Sequence, residues 1–333
     1  MKVLVNCHVP FSFAHGGMQI QIERTMSALS QAGVEVEPLR WWDETQTGDL
    51  LHHFSRIPTT LLMSAQQKGI KVVFADLLGG LGARSSRKLW LQRITTRTLQ
   101  RALSPNKLLA LGWESYRLAD ACIALTPWEA HLMSYVFGAT PEKVHVVPNG
   151  VEEIFLNSPR MQRGQWLVCV GTIAAVKRMV ELAQAAILAQ TPLWVIGKAY
   201  SESDPYAQEF FRLARENPKI IRYEGPVNDR AKVAEIYRQA RGFVLLSRWE
   251  SLSLSALEAA ACECPLLLSD LPWARTTFKN GASYCPNSSP SATAPFLKSF
   301  YDSAPVLQPP PKPLTWLDIA KQLKSIYEDL LRA

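Results

Sequence analysis

At 333 residues the chain exceeds one ordinary hydrophobic core, which predicts two domains. With 47% hydrophobic and 20% charged residues it is neither a disordered nor a fibrous chain, and its longest apolar runs fall far short of the ~20 residues of a membrane span. The formal charge of +7 is unevenly placed, because residues 83–107 hold seven Lys or Arg and no acidic residue.

The N-terminal MKVLVNCHVPF reads as a first buried strand rather than a signal peptide. A loop holding His8, Pro10, His15, Gly16 and Gly17 follows, then a helix from about Met18 to Gln31 with Met18, Ile22, Met26 and Leu29 on one face. Gly33 is its expected C-cap. VEVEPL, DLLHHF, IKVVFADL, ADACIAL and KVHVVPNG continue as strands. The second half repeats the alternation: WLVCVG, a helix through Met179–Gln190, PLWVIG, a helix near Ala207–Glu216, and KIIRYEG. A helix around Arg230–Gln239, GFVLLS, a helix through Leu254–Ala261, and PLLLSD come next. APVLQPPPKP (304–313) reads as a stiff extended linker. The last segment is a helix with Thr315 at its N-cap and Trp316, Ile319, Leu323, Ile326 and Leu330 as its stripe. This strand–helix alternation predicts an α/β fold with parallel sheets. The six cysteines form no CxxC pair, so neither a zinc nor a disulfide framework is expected, which suits a reducing cytoplasm.

In parallel α/β sheets ligands bind beyond the carboxyl ends of the strands, where helix N-termini attract phosphate. Four strand-to-helix corners qualify. Gly16 and Gly17 let a backbone approach an anion ahead of a helix, or serve a plain tight turn. In GTIAAVKR (171–178), Lys177 lies where an ammonium can reach a diphosphate, against the simpler reading of a solvated lysine. In WESLSLSALEAA, Glu250 follows a strand directly and Glu258 falls in the next helix, with Ser251, Ser253 and Ser255 around free N–H groups. Gly225 in EGPVND permits close contact with a flat ring.

At these corners the chain resembles the GT-B glycosyltransferases, and among them the large retaining family 4. ESLSLSALE matches that family's pair of glutamates with seven residues between, Glu250 and Glu258 here. The block 237–270 around it, the stretch 119–155 with PNGV at Pro148–Val151, and GGMQIQIERTMSALSQAGVEV at the start are all similar to the family. The resemblance implies two Rossmann-like domains facing a central cleft. Residues 1–150 would be the acceptor side, joined by the C-terminal helix 315–333 crossing back, and 151–313 the donor side. It implies that Glu258 binds the ribose hydroxyls of a nucleotide-sugar and Glu250 the hydroxyls of the transferred sugar. Backbone N–H groups across Ser251, Leu252, Ser253 and Leu254 would meet sugar and diphosphate, with Gly16 and Gly17 opposite. Lys177 would neutralise the leaving diphosphate, helped by Arg178, and Gly225 and Val227 would lie by the base.

The sequence departs from the family in three places. Thr172 stands where an arginine is usual, Ser251 and Ser253 replace glycines, and Ala75 and Asp76 stand where many members carry a histidine. Asp76 or His15 is the candidate replacement. His52 and His53 read as core or strand-end residues. The resemblance implies a metal-independent transferase with no cofactor, a UDP-sugar donor, and a glycan or lipid-linked acceptor of cell-surface polysaccharide or lipopolysaccharide synthesis. The basic stretch 83–107 carries Arg93, Arg97 and Arg101 as a ridge, with Trp90, Leu91, Ile94 and Leu99 as apolar anchors. It is read as a peripheral contact with an anionic membrane on the cytoplasmic side, or as a solvated basic face or a groove for an acidic acceptor. A nucleotide-sugar epimerase and a non-catalytic nucleotide-sugar or glycan-binding protein are the rivals. A dehydrogenase is disfavoured because the first corner lacks GxGxxG, and nucleic acid because no binding motif is present.

Overall fold

The computed structural model describes residues 1–8, 11, 16–157 and 161–332. It divides into two compact units, Met1–Gly150 with Leu314–Ala333, and Val151–Pro313.

The first unit is built on β1 (Lys2–Cys7), β2 (Glu35–Pro38), β3 (Leu50–Phe54), β4 (Lys71–Ala75), β5 (Ala121–Ala124) and β6 (Val144–Val146). Their order is β2-β1-β3-β4-β5-β6 and every neighbouring pair is parallel. β3 and β5 are buried at every position, as expected of parallel strands covered on both faces. Helix Gly17–Gln31 closes at Gly33 in a left-handed turn, where the Gly33 and Val34 N–H groups donate to Ser30 O and Leu29 O. Only a residue without Cβ takes that conformation cheaply. Its buried stripe is Gln21, Ile22, Thr25, Ala28 and Leu29, so Met18 and Met26 sit at the margin rather than on the inner face. The small Thr25 and Ala28 allow the C-terminal helix to pack close.

That helix, Trp316–Arg332, starts with a reciprocal cap: Thr315 Oγ1 accepts the Asp318 N–H at 3.1 Å, and Asp318 Oδ2 accepts the Thr315 N–H at 3.2 Å. Its buried residues are Trp316, Ile319, Ala320, Leu323 and Tyr327, while Ile326 and Leu330 are only partly covered. Tyr327 displaces them because its hydroxyl bonds His52 Nδ1 in β3 at 2.6 Å. Gly150 completes the docking, since a Cβ there would meet the Trp316 backbone at 2.6 Å.

The second unit holds β7 (Leu167–Val170), β8 (Leu193–Ile196), β9 (Ile221–Tyr223), β10 (Gly242–Leu245), β11 (Leu266–Ser269) and β12 (Ser283–Cys285). The order β12-β11-β10-β7-β8-β9, again all parallel, is that of a doubly wound sheet. The chain winds out from β7 through β8 to β9, then returns to β10 on the other side, which puts the reversal between β7 and β10. β12 and the helices Pro272–Phe278 and Pro290–Ser303 are structural additions to the sequence reading. After a short turn at Ala304–Val306 the proline-rich segment has no regular structure, and Pro310 and Pro311 pack on Gly281.

Gly197, just after β8, has φ +149, and a Cβ there would fall 1.9 Å from Gly171 O beyond β7. No rotamer relieves a clash with backbone. Gly197→Ala is therefore expected to destabilise the second unit by about 3 kcal/mol or more, read as a lowered thermal midpoint. An unchanged midpoint would contradict the packing described.

Candidate active site

The reversal between β7 and β10 is where a doubly wound sheet leaves a crevice at its carboxyl edge. Lys177 closes the single turn Ala175–Lys177 after β7, and Glu250 lies beyond β10. The two side chains form an ion pair, both being largely but not fully covered. Ser247 Oγ also donates to Glu250, at 2.7 Å. Both bonds fall on Glu250 Oε1, which leaves Oε2 to accept from other hydroxyls, and Lys177 keeps two of its three N–H donors. Ser247 is itself fixed: its carbonyl accepts from Ser269 Oγ at 2.7 Å and from Asn287 Nδ2 at 3.1 Å.

Helix Leu254–Ala261 begins immediately after this pair, with Ser253 as N-cap accepting the Ala256 N–H at 3.3 Å. The N–H groups of Leu254 and Ser255 precede the first intrahelical bond and point at the same edge, a setting that favours an anion. Leu252 and Ser253 are buried, and Ser251 and Leu254 partly so.

About 6 Å along this helix from Leu254, Glu258 is buried and ion-paired to Arg230 at 2.5 Å. Arg230 also pairs with Glu152 at 2.6 Å and lies over the Phe155 ring, while Tyr237 OH donates to Glu258 Oε2 at 3.3 Å. Burial pushes the Glu258 carboxyl above its ordinary range, an effect Arg230 opposes. Arg230 is in place because Asp229 caps its helix, accepting from the Ala231 and Lys232 N–H groups. Gly225 turns the chain after β9 with φ +85, and its carbonyl accepts the Gly197 N–H at 3.2 Å; Val227 is half-buried beside it.

Two of the expected donor contacts differ in kind. Thr172 is half-buried beyond β7. Arg178, by contrast, is buried in a left-handed turn with φ +54, its guanidinium held by Asn287 Oδ1 at 2.9 Å and by Ser288 O. It pins the segment carrying Asn287, and so holds Ser247 and Glu250 from behind.

In the first unit, Gly16 is the N-cap of helix Gly17–Gln31 with φ +142, a conformation that favours glycine. His15 lies outside the described residues. Asp76, just past β4, is buried: Oδ2 accepts from Arg56 Nε at 3.1 Å and from the Tyr116 hydroxyl. Here the sheet order reverses between β1 and β3, and a polar cluster sits at that point. His53 Nδ1 meets Asn6 Nδ2 at 3.1 Å, its Nε2 meets Ser55 Oγ at 3.4 Å, and the His8 ring packs edge-on at 4.5 Å. Ser55 has φ +91, unusual for a residue with a Cβ.

The basic segment forms helix Ser86–Ala102, which buries Leu89 and Thr96. Arg93, exposed, lies over the Tyr135 ring at 4.5 Å, and the half-buried Arg97 donates to Ser134 O at 2.9 Å, so two of the three ridge arginines also fasten the helix. Leu99 is partly covered. The open face carries Trp90, Leu91 and Ile94, each about half exposed, together with Arg87, Lys88 and Arg101. No helix among the described residues is long and apolar enough to cross a membrane. Burial pushes the thiols of Cys122, Cys169, Cys262 and Cys264 up to about 12.

The residues missed in the sequence were partners rather than principals: Ser247, Arg230, Tyr237, Glu152 and Asn287. Only Arg230 left a signal, since a buried Glu258 requires a cation and Arg230 opens the helix before GFVLLS.

Two six-stranded parallel sheets with this order make a GT-B type fold, which solved structures share. Sucrose-phosphate synthase from Thermosynechococcus elongatus is 18% identical with a TM-score of 0.67, over 100% of both chains. Anabaena HepE, solved with UDP and glucose, is 13% identical with a TM-score of 0.66, over 100% of this chain and 98% of that one. Residues 164–301 match the family model described as glycosyl transferases group 1. The D-inositol 3-phosphate glycosyltransferase of Jonesia denitrificans is 29% identical over 45% of this chain and 41% of its own length, so the match spans under half of either protein.

Proposed function

We propose that the chain is a retaining glycosyltransferase that moves a sugar from a nucleoside-diphosphate sugar, a UDP-sugar first, to a hydroxyl of a glycan or lipid-linked acceptor. The observation that carries this is the Lys177–Glu250 pair at the strand-order reversal, beside the open N-terminus of helix Leu254–Ala261. Lys177 and the Leu254 and Ser255 N–H groups would take the charge that develops on the departing diphosphate. Glu250 Oε2 would accept from sugar hydroxyls and Glu258, fixed by Arg230 and Tyr237, from the ribose. The proposal gives charge neutralisation to these groups and needs no metal. Retention follows from the family resemblance, with acceptor and leaving group on one face.

Nucleoside-diphosphate release and thermal shift across UDP-, GDP-, ADP- and CMP-sugars, with EDTA present, test the reading. Stabilisation by one donor with slow diphosphate release is expected. Stabilisation without release, even with mixed glycolipid acceptors, would replace it by a binding protein. That rival draws on Asp76, whose carboxylate is held by Arg56 and Tyr116 where many family members place an imidazole.

The open face of helix Ser86–Ala102 supports a peripheral membrane contact, since cations flank three apolar side chains there. Co-sedimentation with phosphatidylglycerol vesicles is expected at low salt, weakening as salt screens the charges. Equal pelleting with neutral vesicles, or none with either, would count against it.

A further inference from the structure

Trp41 and Trp42 stand in the loop that follows β2, and they are 59% and 99% exposed. Tryptophan is seldom left in water, and the loop is not a loose one. Arg40 pairs with Glu37 at 2.5 Å and with Asp43 at 2.8 Å, one on each side of the indoles. The Arg40 N–H donates to Gln46 Oε1 at 2.7 Å, and Gln46 Nε2 returns to Pro38 O at 3.0 Å. Thr45 donates its N–H and its hydroxyl to Asp43 Oδ1 at 3.0 and 2.6 Å. The Asp43 and Gln46 N–H groups close two successive turns onto Arg40 O and Asp43 O. The side chains that could have covered the indoles instead brace the backbone beneath them.

β2 runs parallel to β1, so this loop leaves the sheet at the same carboxyl edge as β1, where Gly16 opens the first helix. We infer that Trp41 and Trp42 are a stacking platform for a neutral pyranose ring of the acceptor. An indole presents a flat apolar face with a negative quadrupole, which suits the C–H face of a sugar, and its N–H remains free for a hydroxyl. Local charge selects this occupant over a bilayer. Glu37, Asp43 and Glu44 flank the pair against Arg40 and Lys2, so the patch has one more acidic than basic group and lacks the positive charge that would draw it to an anionic surface. The word acceptor rests on the transferase reading; the platform itself does not.

Saturation-transfer NMR on the full chain with the methyl α- and β-pyranosides of glucose, galactose and mannose, and with maltose, tests the platform. UDP thermal shift is measured in parallel as an independent check of the donor site. Signal on the sugar's C–H face is expected in the wild type, weakened about tenfold or more in Trp42→Ala and in the Trp41→Ala/Trp42→Ala double variant. The UDP shift and the signal of a Trp90→Ala control should stay unchanged. No saccharide signal in the wild type, or equal signal in the double variant, overturns the platform. So does a double variant that loses vesicle binding, or that changes from dimer to monomer in sedimentation, since the pair would then serve lipid or a second copy. Loss of the UDP shift in the wild type would strike the transferase reading and leave the platform judged on its own signal.

Discussion

Lys177→Ala is expected to slow diphosphate release from the preferred donor by about 10²–10³-fold, the range for removing one preorganised group from a developing negative charge. Lys177 reaches the edge of the sheet from a tight turn and is oriented by Glu250, which Ser247 fixes in turn, so its ammonium is already placed when the donor arrives. The loss should appear in turnover more than in donor affinity, because the charge grows only as the bond breaks. Lys177→Arg should recover part of the rate, since the charge is kept while its geometry changes. Glu258→Ala carries a different signature. Its carboxylate faces Arg230 and Tyr237 and no leaving group, so donor affinity should weaken by about 10–100-fold, the loss of a hydrogen bond to a charged group. Normal release and normal affinity in both variants would remove the site assignment.

The alternation of apolar runs with helical segments made the architecture legible, because buried parallel strands such as LVCV and GFVL can be little else between turn signals. The two glutamates were legible as positions, whereas their partners were not. Ser247 acts through a fold that returns Ser269 and Asn287 to its carbonyl from elsewhere in the chain. Arg178 shows the limit of reading a cation from its neighbours: beside Lys177 in sequence, it turns inward because a left-handed backbone at that residue sends its side chain to Asn287. Helix rotation was likewise set by distant contacts. Tyr327 wins its buried place through a hydrogen bond to His52, while the exposed Arg93 lies over the Tyr135 ring and the half-buried Arg97 donates to Ser134 O.

The first unit should lose stability steeply on acidification, through two adjacent histidines that periodicity shows only as strand residues. His52 and His53 are both buried in β3, and burial pushes each imidazole down to about 3, with His8 and His52 adding repulsion at His53. The groups packed against them supply no compensating anion: Tyr327 and Phe54 meet His52, and Asn6, Ser55 and His8 meet His53. An unfolded histidine takes its proton near 6.5. Between that value and about 3 the unfolded chain therefore binds more protons than the folded one, and stability falls as pH falls. Above 6.5 their contribution is complete. The slope is about 1.4 kcal/mol per pH unit for each ring, so the pair removes about 4 kcal/mol by pH 5. Hydrogen exchange of peptides covering Leu50–Phe54, corrected for intrinsic rates, should show protection lost between pH 7 and pH 5. Proton NMR should find both rings neutral throughout that range in the folded protein. If either ring titrates near 6.5 without unfolding, its side chain reaches water or an anion, and that ring does not tie the stability of the fold to pH.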